Sequence, residues 1–91
     1  MKLFEKYKLL KAIILADDIT LYMPTAFNET YRIITKDYVI ESVTILPHFE
    51  GEKSKYTISA INRRKNSSHT LSGRIAHLAA FLTNIKYAKT K

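Results

Sequence analysis

At 91 residues the chain suits one small domain with a modest core and is too short for two. An apolar fraction of 46% argues against disorder, and the absence of cysteine rules out disulfide staples and thiolate metal sites. The net charge of +7 is laid down unevenly: residues 1–52 hold all eight acids against six Lys and Arg, and residues 53–91 hold nine Lys and Arg with no acid.

The opening MKLFEKYKLLKAIILADD interleaves charges too densely for a signal-peptide core. No apolar run approaches the length of a membrane span, so the sequence reads as a soluble cytoplasmic protein. Within that opening, Leu3, Tyr7, Leu10 and Ile14 recur at helical spacing, with Glu5, Lys8 and Ala12 on the far side. The spacing predicts an amphipathic helix over 2–16 whose buried stripe is the first set. Asp17 and Asp18 sit unfavourably at the negative end of a helix dipole, so the chain turns there. Ile19–Met23 reads as a short strand ended by Pro24, and PTAFNET as a loop or one helical turn.

Tyr31–Thr35 and Tyr38–Leu46 are rich in β-branched and aromatic residues and are separated by Lys36-Asp37, which predicts a hairpin closed off by Pro47. A loop around Gly51 follows. Lys55–Asn62 then alternates, with Tyr56, Ile58 and Ala60 facing a core and Lys55, Thr57 and Ser59 facing water. RRKNSSHT reads as a connecting loop. Leu71, Ile75, Leu78, Leu82 and Ile85 fall on one helical stripe, predicting a last helix capped by Ser68 or Thr70 and running into a frayed basic tail over 85–91. The expected fold is a small single-domain α+β protein: N-terminal helix, antiparallel sheet of three to four strands, and C-terminal helix on one face.

A tract of thirty-nine residues without an acid concentrates positive potential and favours a polyanionic partner. Arg63, Arg64 and Lys65 precede the last helix, whose first turn offers unpaired N–H groups and the positive dipole end, with Ser72, Gly73 and Arg74 beside it. Loop cations and a helix N-terminus together would make a phosphate site. The glycine and Gly-Lys-Ser/Thr pattern of a Walker loop is missing. Lys53, Lys55, His69, Lys86 and Lys89 would extend the contact, and Tyr87, flanked by lysines, is the aromatic best placed to stack on a base.

Opposite the Leu/Ile stripe of the last helix lie Gly73, Ala76, His77, Ala80 and Asn84, small or polar residues that would admit a protein partner at close range. Catalytic signals are weak. His48, Glu50, Glu52 and Lys53 gather loosely around Gly51, and His69 and His77 are eight apart, the wrong spacing for helical metal ligands. No catalytic residue, metal ligand or cofactor is assigned.

The reading is a non-enzymatic protein that binds nucleic acid through phosphates with little sequence preference, single-stranded DNA or RNA over duplex. An accessory factor of a replication or repair enzyme would fit. The alternative is a protein-binding module, a small subunit or inhibitor such as a phage or plasmid encodes, docking through a helix face. A membrane partner is not expected, on the ground that neither helix combines a basic face with exposed large apolar groups.

Overall fold

The computed structural model describes residues 3–22 and 24–90, Thr90 by its backbone alone. Met1, Lys2, Met23 and Lys91 lie outside the described residues, and with them the predicted ends of the first helix, the first strand and the basic tail. The element order is α1 (Leu3–Leu15), β1 (Asp18–Tyr22), β2 (Asn28–Ile34), β3 (Tyr38–Ile45), β4 (Lys55–Asn62), β5 (Ser67–Leu71) and α2 (Gly73–Thr90). The strands form one antiparallel meander in the order β1-β2-β3-β4-β5. Helix, sheet, helix is the α+β arrangement expected, with one strand more than the three to four predicted.

The extra strand is β5, cut from the stretch read as a loop. Asn62 makes it possible. Its side-chain Oδ1 accepts the N–H groups of Arg64 (2.9 Å) and Lys65 (3.0 Å), and its carbonyl accepts that of Asn66 (2.9 Å). Asn66 sits at φ +52, a left-handed conformation that asparagine tolerates better than most residues. The chain therefore reverses and Ser67–Leu71 pairs along β4. Ser68 and Thr70 are strand residues and cap nothing. Gly73, at φ +70, turns the chain from β5 into α2, which runs from Gly73 through Thr90. The β2–β3 turn is the predicted Lys36-Asp37 connection, held by Thr35: its Oγ1 accepts the Tyr38 N–H at 2.9 Å and its N–H donates to the Tyr38 carbonyl at 2.9 Å.

Register puts the core in rows. Ile19, Ile33, Ile40, Ala60 and His69 align across the five strands on one face, and Leu21, Tyr31, Ser42, Ile58 and Leu71 form the next row. Ile33, Ile40 and Ile58 are fully buried beneath the helices. The other face stays open, with Tyr22, Arg32, Glu41, Ile34, Val39 and Ile61 pointing away from the core. There the Arg32 guanidinium meets Glu41 at 3.3 Å and lies 4.3 Å over the Tyr22 ring.

Both helices are turned about their axes from the faces predicted for them. In α1, Leu9 and Ile13 enter the core, with Ala16 just past its end, while Leu3, Tyr7 and Ile14 are exposed and Leu10 is only half-buried. In α2, Ala76, Ala79, Ala80 and Thr83 enter the core, Ile75 and Leu82 of the predicted stripe pack half-buried against it, and Leu78 and Ile85 face out. Small side chains let α2 lie close on β4, where larger ones would hold it off. Thr83 satisfies its buried hydroxyl by donating to the Ala79 carbonyl at 2.7 Å.

Tyr31 joins the sheet to the end of α2. Its ring meets Tyr87 edge-on at 5.1 Å, and its hydroxyl approaches Glu29 at 3.5 Å. Burial raises its pKa above the ordinary 10.0, with the Glu29 charge and Tyr87 adding to the shift. The folded state thus holds Tyr31 neutral where the unfolded chain ionises. That stabilisation is complete below pH 10 and is lost as pH rises through the folded value. Thermal melts of the Tyr31→Phe variant should lack this part of the alkaline decline. An unchanged decline would place the Tyr31 hydroxyl in water.

Candidate functional site

The predicted phosphate site required Arg63, Arg64 and Lys65 to stand next to the start of α2. The structure separates them: β5 carries five residues between the 63–66 turn and Ser72, about 17 Å of strand. The loop cations lie at one end of the sheet, and Lys53, Lys55, Ser72, Gly73 and Arg74 at the other. The joint site between loop and helix terminus does not form.

What forms is a basic edge that the sequence did not predict. The 63–66 turn docks on the β2–β3 turn, the Arg63 N–H donating to the Asp37 carbonyl at 2.7 Å and its guanidinium to the Thr35 carbonyl at 3.0 Å. Arg64 Nε pairs with the Asp37 carboxylate at 2.8 Å. The two turns and the outer side of α1 together line a cleft of about 760 Å³. Lys8, Lys11, Lys36, Arg63, Arg64 and Lys65 line it, all exposed, against Asp17, Asp18 and Asp37. Three of the six cations come from the first 52 residues, the part of the chain whose overall balance is acidic. No local signal marks them; only the docking of the two turns brings them to one edge.

The other predicted contacts are scattered. His69 belongs to the inward row, its Nδ1 3.9 Å from Glu5 at the start of α1. The Lys86 ammonium donates to the Ile14 carbonyl at 2.7 Å, closing the gap between the helix ends. Tyr87 is half-buried against Tyr31, and its ring is engaged in the core and not offered to a base. Lys89 is exposed on α2. Lys55 and Arg74 line a second depression with Tyr56, His77, Leu78 and Phe81, where His77 meets the Tyr56 ring edge-on at 4.6 Å.

The small-residue partner face divides. Ala76 and Ala80 are 0% and 1% exposed, so they are committed to the sheet and cannot receive a partner. Gly73, His77 and Asn84 remain at the surface. In the Gly51 loop, the Glu52 carboxylate accepts the N–H groups of His48 at 3.0 Å and Phe49 at 3.3 Å. Those bonds, that of His48 first, hold its pKa below the ordinary value, so Glu52 serves as an anionic brace of its own loop. Among the described residues no group of three or more His, Asp or Glu is placed to hold a metal ion. Nor is any helix long and apolar enough to cross a membrane. No family model, curated protein or solved structure matches the chain.

Proposed function

We propose that the protein is a non-enzymatic nucleic-acid-binding domain that holds phosphates along the edge formed by the 35–37 and 63–66 turns and α1. The observation that carries this is the convergence of six exposed cations from three elements on one cleft, where three aspartates leave a positive excess. Phosphate contacts fix a polyanion without reading its sequence, so little sequence preference follows. A flexible single strand of DNA or RNA suits this short, uneven edge better than a duplex. Neither helix presents a polar, base-reading face to a groove, since α2 turns Leu78, Phe81 and Ile85 outward. An accessory role beside a nucleic-acid enzyme fits such a domain.

The geometry also chooses the variants. Arg63 and Arg64 stitch the turns together, so replacing them disturbs the edge itself. Lys11, Lys36 and Lys65 make none of those bonds through their side chains, and their triple alanine variant should keep its fold because exposed cations contribute little to stability. Labelled single-stranded DNA, single-stranded RNA and duplex are titrated at two salt concentrations. If about five phosphates are neutralised, the parent's log–log salt slope should be about −3.5 on single strands. The triple variant should bind more weakly, with a slope shallower by about 2, roughly 0.7 per lost contact. No binding of the parent at low salt, or an unchanged slope in the variant, overturns the proposal.

A further inference from the structure

The inward turn of small and aliphatic residues in both helices leaves an outer layer of unusual composition. On α1, Leu3, Phe4, Tyr7 and Leu15 are 74%, 69%, 71% and 65% exposed; on α2, Leu78, Phe81 and Ile85 also face out. Side chains three and four apart share a helix face, so each set forms one continuous arc opposite the buried one. Lys8 and Lys11 lie within the α1 arc, and Arg74 and Lys89 within that of α2. The Lys8 ammonium rests 4.6 Å over the Phe4 ring. Neither arc holds an acid: Glu5, the one carboxylate in the two helices, turns aside toward His69.

We infer that this outer helical face docks on an anionic lipid surface. The inference goes beyond the nucleic-acid reading and uses a different face, which meets the basic edge only along α1, at Lys8, Lys11 and Leu15. The ground on which a membrane partner was discounted does not survive in the structure, because both helices combine cations with exposed large apolar side chains. Three features favour lipid as the occupant. The molecule is a slab of 42 × 29 × 19 Å with its two helices packed against each other in one layer, a broad face that lies flat on a surface more readily than it enters a groove. Aromatic and aliphatic groups reach the boundary between headgroups and acyl chains, while lysine and arginine stems extend their charges to the lipid phosphates. A second copy would bring two acid-free, cationic faces together, with nothing to neutralise either.

The test is co-sedimentation with vesicles of phosphatidylcholine alone or mixed with phosphatidylserine. The protein should bind the anionic vesicles about 10²- to 10³-fold more tightly than the neutral ones, the ratio expected from four cations near the surface. The Phe4→Ser/Phe81→Ser variant alters exposed positions, so its melting temperature and oligonucleotide binding serve as controls for the fold. It should lose at least about tenfold in vesicle binding while keeping both. The Lys36→Ala/Lys65→Ala variant should do the reverse, losing oligonucleotide and keeping vesicles, so that failure of one reading leaves the other standing. The inference is overturned if the parent ignores anionic vesicles or if the double serine variant binds them as well as the parent. It is equally overturned by a dimer that the serine variant dissolves and that binds no vesicle, which would assign the face to a second copy.

Discussion

Replacing Ile40 by Ala is expected to destabilise the fold by about 2–5 kcal/mol, the usual range for truncating a fully buried aliphatic side chain. A domain of this length has about 5–14 kcal/mol of stability in all, so the loss would be a large share. Ile40 stands on the central strand, midway along the row Ile19, Ile33, Ile40, Ala60, with no exposed surface. Sheet neighbours flank it and helices cover it, so the space left by three carbons has no mobile side chain to fill it. Ile61 is the control: it has the same chemistry, lies on the neighbouring strand, points to the open face and is 51% exposed. Ile61→Ala should cost about 1 kcal/mol or less, mostly lost strand preference. Urea unfolding with unchanged slope measures both. Equal losses would mean that the open face is buried in solution or that the core face is wrongly assigned.

The contrast between those two isoleucines shows what was legible. Strict alternation in Lys55–Asn62 identified the inward face of β4 correctly, because a period of two leaves only two choices. The hairpin around Lys36-Asp37 was legible from β-branched residues on both sides of a short polar break. β5 was not: of Ser67, Ser68, His69, Thr70 and Leu71 only the last is buried, and an edge strand with one apolar residue has no period to detect. The signal available was the pair Asn62 and Asn66, the first preceding the four-residue turn 63–66 and the second ending it, both residues suited to a turn.

The basic edge was half legible for a different reason. Arg63, Arg64 and Lys65 stood out as a run, and the acid-free tract that contains them is plain in the sequence. Their partner was misassigned because the missed strand made the start of α2 look adjacent. Charge counted along the chain also hid Lys8, Lys11 and Lys36 among eight acids, of which only Asp17, Asp18 and Asp37 line the same cleft, leaving the edge positive.

The helices were the least legible part, and α2 supports the sharpest test of why. Nearly every side of it carries apolar residues: Ile75, Leu78, Leu82 and Ile85 make one stripe, and Ala76, Ala79, Ala80 and Thr83 make another roughly a third of a turn away. Periodicity allows both, and size alone favours the first. Packing centres on the second, with Ile75 and Leu82 half-buried at its margin, since alanines bring the helix backbone down onto β4 and leave Leu78 44% exposed. Ala80→Lys must therefore either bury an unpaired ammonium or lift α2 off the sheet. Its expected cost is about 3–5 kcal/mol, the penalty typical of an uncompensated buried charge. Leu78→Lys should change stability by about 0.5 kcal/mol at most, as surface substitutions generally do. If the larger residues formed the core stripe, the order would reverse, with Leu78→Lys the damaging change and Ala80→Lys harmless. Thermal and urea unfolding of the two variants side by side decide between the faces. The result also bears on function, because Leu78 can take part in an outer docking face only if Ala80 is the residue held against the sheet.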